Sequence, residues 1–391
     1  MSSRFESAND VATLAMRAQG PRATADLQDE MLSWVTRLFA KRRPSPTPTP
    51  APTPRPARTA SAPAVGKAPP VVPADPPPPA PVAAVCDPIL VAAASGRVLA
   101  HFHKNQPGPE SFPSSAARII DVLHQREPDF NKLVHMLGQD AAITARLLQV
   151  ASSARYGGDE VHSVRAAALK LGLRQVGEIA LGVAGRSLFE PAARSQRALF
   201  PEKFDALFHG SMTSAFSAAA LSLAARVGYS DRAFLAGMLH DIGKPVALQA
   251  LAALHLAGQL DPRVVADGID DVVERVHVQI GATMTQAWSL AEYLRVSAAQ
   301  HHDAEVAAGP DRAELHLCRV VDGLAVARAS GVMPETARSS AKVLGLDESR
   351  LRVAATEHAD LAARVTTIFG VPDPAAAAAD AHAPQPKRRA G

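Results

Sequence analysis

Five places in the chain put histidines or acids where metal or phosphate chemistry can occur. The most pointed is His240–Asp241–Ile242–Gly243–Lys244. An imidazole beside a carboxylate can ligate one ion from a single helix end. Lys244 falls four residues after His240, near the same face, where its charge could neutralise a phosphate. Gly243 leaves room for a ligand or a neighbouring helix. Pro245 disfavours helical geometry at Lys244, which places the group near a helix end. His209, His277, the pair His301–His302 and Asp322 lie outside this group. Asp322 stands in CRVVDGLAVA, and a buried, unpaired carboxylate there would be costly. It wants a partner, and a metal or a histidine would serve.

Each of these residues has a plainer reading. His240 and Asp241 could be a hydrogen-bonded pair with no ion between them. A histidine on a helix often ligates nothing, and a lysine at a helix end is ordinarily solvated. His101, His103, His124, His135, His162, His255, His316, His358 and His382 read as structural or surface residues, and Cys318 as a small buried apolar residue.

The elements that must position these groups read as helices. Of 391 residues, 47% are hydrophobic and only 4% aromatic, which favours Ala/Leu-rich helices over an aromatic-rich sandwich. Residues 86–112 are a lead-in. Ser111–Ser115 supplies a loop and cap before an apolar-periodic run through Ile119, Ile120 and Leu123. Short helices follow, with stripes at Leu133–Leu137 and Ile143–Leu148, and tight turns at Tyr156–Gly157–Gly158 and Gly172. A second helical series occupies 204–227, 231–244, about 264–268, 271–288, 291–302, 312–330 and 347–369, punctuated by Gly228, Pro245, Gly309–Pro310, Gly331 and Gly345. The expected fold is all-α and two-lobed, with an amino-terminal lobe over 105–200 and a second over 201–370.

The flanks differ in composition. Residues 1–43 contain a segment with Leu27, Met31, Trp34, Val35, Leu38 and Phe39 at helical spacing; it would dock on its own domain or on a partner. Residues 44–85 form a Pro-rich stretch, with 16 prolines between Pro44 and Pro81. Such a segment is expected to be a disordered, extended spacer. The tail, 371–391, is expected to be disordered too. Six basic residues against Asp75 within 41–85 account for the net charge of +3, so the rest is slightly acidic. That gives no strong nucleic-acid signal. Two cysteines exclude a disulfide scaffold. No run suits a transmembrane segment or a signal peptide, so a cytoplasmic protein is expected.

Two stretches carry a family resemblance. FLAGMLHDIGK resembles the HD superfamily of metal-dependent phosphohydrolases. ARLLQVASSARYGGDEVHSVRAAALKLGLRQV resembles the HDOD domain, an HD-related output domain of bacterial signalling proteins, through Tyr156–Gly157 and Leu171–Gly172–Leu173. Ser152 stands where that family usually has Asn. The resemblance spans roughly 105–310. It implies an all-α regulatory module that binds other signalling proteins or a nucleotide-type ligand. The related HD-GYP proteins hydrolyse cyclic di-GMP at a metal centre. Their order of residues is matched here by His209, His240–Asp241, His277, His301–His302 and Asp322. The Gly-Tyr-Pro run after the His pair is replaced by DAEVAAGP.

What this implies as the alternative to a regulatory role is a phosphohydrolase holding Fe, Mn or Zn. His209, His240, Asp241, His277, His301, His302 and Asp322 would ligate. Asp241 and Lys244 would be its catalytic residues, the lysine offsetting charge on a non-bridging oxygen.

Overall fold

The computed structural model describes residues 86–123, 125, 128–306 and 312–376. The expected amino-terminal amphipathic segment, the Pro-rich spacer and residues 377–391 of the tail lie outside the described residues. Among the described residues all regular structure is helical.

The first half runs α1 (Pro88–Lys104), α2 (Ser114–Leu123), α3 (Phe130–Gly138), α4 (Ala141–Ala151), α5 (Val164–Leu171) and α6 (Leu173–Gly185). The starts are written in the sequence. Asp87, Asp129, Asp140 and Ser163 each accept a hydrogen bond from a first-turn backbone N–H, satisfying donors that the helix leaves unpaired. Gly157 and Gly172, at φ 99° and 85°, make the reversals after Tyr156 and Leu171 that a side chain would strain. The lead-in is therefore a helix of 17 residues, with Val91, Ala94, Val98 and Phe102 buried.

The second half runs α7 (Arg194–Leu199), α8 (Pro201–Ala225), α9 (Ser230–Leu239), α10 (Gly243–Leu256), α11 (Pro262–Asp267), α12 (Ile269–Ala287), α13 (Glu292–Gln300), α14 (Ala313–Ser330), α15 (Glu335–Val343) and α16 (Glu348–Phe369). Three of these were not visible as helices in the sequence: all of α7, most of α10 and all of α15. Pro245 does not exclude Lys244 from a helix as expected. It occupies the first turn of α10, where a missing N–H costs nothing. The break falls earlier, at His240–Ile242.

One apolar core joins both halves, with Leu133, Leu147, Ile179, Phe208, Leu235, Ile280 and Val365 in the same cluster. A smaller one seats α15 on α14. Edge-on stacking of Phe208 on Phe189 at 5.5 Å and on Phe369 at 5.4 Å ties α8 to the end of α16. The chain stays packed past α16: Val371 and Asp373 are buried, and Asp373 pairs with Arg328 at 2.5 Å. The expected tail therefore begins too early at 371.

Two glycines bring the site helices together. A Cβ on Gly237 would lie 2.6 Å from the Ser214 carbonyl oxygen of α8. A Cβ on Gly243 would lie 1.9 Å from the carbonyl oxygen of His277. Only glycine lets the start of α10 lie against α12 this closely, and that contact sets His240–Asp241 beside His277.

Candidate metal centre

Asp241 is the centre of the site. It sits in the turn between α9 and α10, its side chain 18% exposed. Its Oδ1 lies 3.3 Å from His277 Nε2 on α12 and 3.2 Å from His301 Nε2 at the end of α13. Those two imidazole nitrogens are 3.3 Å apart. The His302 ring lies 4.3 Å from that of His301 and 5.1 Å from that of His277. On the other side, His240 Nε2 lies 2.9 Å from Asp322 Oδ1 on α14 and 3.6 Å from Asp241 Oδ2. The ligating atoms form two groups, Asp241–His277–His301–His302 and His240–Asp241–Asp322, with Asp241 in both.

Hydrogen bonds fix which ring nitrogens face inward. The Nδ1 atoms of His240, His277 and His301 lie 3.0, 2.9 and 2.9 Å from the carbonyls of Gly237, Glu274 and Ser297. A carbonyl only accepts, so each Nδ1 carries the proton. For His277 and His301 a neutral ring then turns the Nε2 lone pair toward Asp241, while His240 Nε2 meets Asp322 Oδ1. Asp241 Oδ1 is buried and has no hydrogen-bond donor. Lone pairs thus converge on one point with nothing positive between them, an arrangement that a cation resolves.

The spacing fits as well. Bonds of ~2.1 Å put neighbouring ligands roughly 3.0 Å apart in an octahedron and roughly 3.4 Å apart in a tetrahedron, and the triangle here has edges of 3.2–3.3 Å.

The titration of these groups follows from the same geometry. Burial opposes the His240 imidazolium, but Asp322 and Asp241 outweigh it and push its pKa up to about 9. Burial lowers His277 to about 4, against the pull of Asp241. Burial also lowers His302. Asp241 is held well below the usual carboxylate range although burial opposes this, because Lys244 and His240 flank it.

Lys244 does not stand free to meet a phosphate. Its Nζ lies 2.9 Å from Asp241 Oδ2 and 2.8 Å from Glu274 Oε1. Glu274 was hidden in the charged face VERVH; its only signal was its place three residues before His277. His209 also departs from expectation. Its Nε2 donates toward the Ala362 carbonyl at 3.0 Å and lies 3.2 Å from Thr366 Oγ1, both on α16. It is not in either group of converging atoms, because α8 turns this face to α16. The structure thus brings together His240, Asp241, His277, His301, His302 and Asp322, with Lys244 at their edge.

Comparison with known proteins adds the family. The HDOD domain matches residues 110–304. The chain is an HDOD-domain protein. Asp322 lies beyond that match, and the structure sets it opposite His240.

Two solved structures share the fold. One is an HDOD domain protein of unknown function from Geobacter sulfurreducens, 19% identical, TM-score 0.51, covering 71% of this chain and 99% of its own. The other is from Shewanella amazonensis SB2B and is described as a candidate metal-dependent phosphohydrolase. It is also 19% identical with TM-score 0.51, covering 72% of this chain and 99% of its own. An uncharacterized protein of Treponema pallidum (strain Nichols) is 24% identical over 204 residues, 49% of this chain but only 37% of that relative's length. No helix among the described residues is long and apolar enough to cross a membrane.

Proposed function

We propose that this HDOD-domain protein is a divalent-metal-dependent phosphoester hydrolase acting on a nucleotide or cyclic dinucleotide, working in bacterial signalling in the cytoplasm. The observation that carries the reading is the donor-free convergence of Asp241 Oδ1, His277 Nε2 and His301 Nε2, with His240 and Asp322 on the opposite side of the same carboxylate. The mixed imidazole and carboxylate set suits Fe, Mn or Zn better than Ca. A bound divalent ion supplies a water of lowered pKa and a positive charge beside the reacting phosphorus.

The chain's own residues do the rest. His277, His301 and His302 would hold one side and His240 with Asp322 the other, Asp241 serving both. The carbonyls of Gly237, Glu274 and Ser297 lock the three inner rings in one orientation. Lys244 and Glu274 fix the Asp241 carboxylate and balance its charge. Asp322, 26% exposed, and the exposed His302 mark the side open to a substrate.

The test is metal analysis of the purified full-length protein, followed by hydrolysis of bis(p-nitrophenyl) phosphate and a nucleotide panel. Stoichiometric Fe, Mn or Zn with metal-dependent turnover supports the reading. Tight metal with no turnover on any phosphoester sinks it.

A second reading has one observation in its favour: Lys244 is already held by two carboxylates. On that reading the protein is a regulatory module that binds other signalling proteins or a nucleotide-type ligand, and the metal is structural.

A further inference from the structure

With Lys244 engaged, a phosphate would need another cation. Arg319 is on α14, three residues before Asp322 and so on an adjoining face. Only 4% of the residue is exposed. Its Nε and Nη1 are buried and have no hydrogen-bond partner, and no carboxylate among the described residues forms an ion pair with it. Burial and, against it, the charge of Asp303 act on it. Asp303 directly follows the His301–His302 pair, and Asp322 is one helical turn on from Arg319.

An enclosed guanidinium with two idle donors is expensive. Natural proteins keep such a group where an anion completes it, because Arg presents several fixed N–H donors to phosphate oxygens and stays charged when desolvated. Elsewhere in this chain even more exposed arginines have found acids, as Arg328 has found Asp373 and Arg232 has found Glu314.

We propose that Arg319 is the phosphate-binding residue of the metal centre, donating to a non-bridging oxygen of the substrate beside Asp322. This rests on the hydrolase reading only for the identity of the ligand; anion binding itself can be measured without turnover.

The test is calorimetric titration of inorganic phosphate into the Mn(II)-loaded full-length protein, for wild type, Arg319→Gln and Arg319→Lys. The expected result is binding by wild type, about tenfold or more weaker in R319Q and intermediate in R319K, with equal metal content in all three. R319Q should melt no lower than wild type, since it removes an unpaired buried charge. A purely structural arginine would give the reverse: lower melting and unchanged phosphate affinity, and that overturns the proposal. So does wild-type protein that carries metal but binds no phosphate. Phosphate binding that depends on Arg319 in a protein that hydrolyses nothing upholds the proposal while removing the hydrolase reading.

Discussion

Two sets of buried histidines occupy this molecule, and they behave differently. His277 and His301 point Nε2 at Asp241, and His240 points its Nε2 at Asp322. His209 and His358 are as deeply buried, at 2% and 4% exposure. Yet His209 spends its proton on the Ala362 carbonyl, and His358 Nδ1 pairs with Ser217 Oγ at 2.9 Å. The first set gathers around carboxylates, the second pairs with neutral groups. Burial and residue type are the same. What differs is whether a neighbouring helix brings an acid or a hydroxyl and a carbonyl.

The largest effect that could break this comparison is at Asp241. Asp241→Asn keeps the shape but removes the charge shared by both ligand groups. Metal affinity should fall by at least about a hundredfold, with activity lost in step. Metal content measured after dialysis checks this, and full retention would mean that the two groups do not form one centre.

Acid should strain the second set next. Burial lowers His358 to about 4, while an unfolded chain titrates near the ordinary 6.5. Above pH 6.5 the ring is neutral in both states and its contribution to stability is complete. As pH falls from 6.5 toward 4, the unfolded chain takes up a proton that the folded one refuses. Stability then declines, by up to roughly 3 kcal/mol. Denaturant melts across that range should show the fall, and His358→Asn should flatten it.

The smallest effect sharpens the contrast. His209→Gln should cost about 1 kcal/mol through the lost bond to Ala362 and leave the metal content unchanged. A loss of metal would return His209 to the ligand set.

Several of these features were legible before any fold was known. His240–Asp241 followed by Gly243 marked a helix end with ligating side chains. Asp322 stood out because an acid in an apolar run needs a partner, and the partner is His240. The stripes Leu133–Leu137 and Ile143–Leu148 announced α3 and α4 by their helical spacing. His209 misled because its order along the chain fits a ligand pattern, while the direction of its side chain depends on how α8 rotates against α16. Glu274 and Arg319 were silent because a charged residue on a helix reads the same whether it faces water, a lysine or nothing.

The amino acids by themselves settled that this chain is helical, where many of its helices begin, and which types of ligand it has to offer. Periodicity and capping are local, acting within a turn or two. Only tertiary structure decided which of those groups meet. The convergence of residues 240, 277, 301 and 322 depends on close helix contacts, above all Gly243 against the His277 carbonyl. Contacts of that kind are set by packing between distant segments, and spacing along the chain does not contain them.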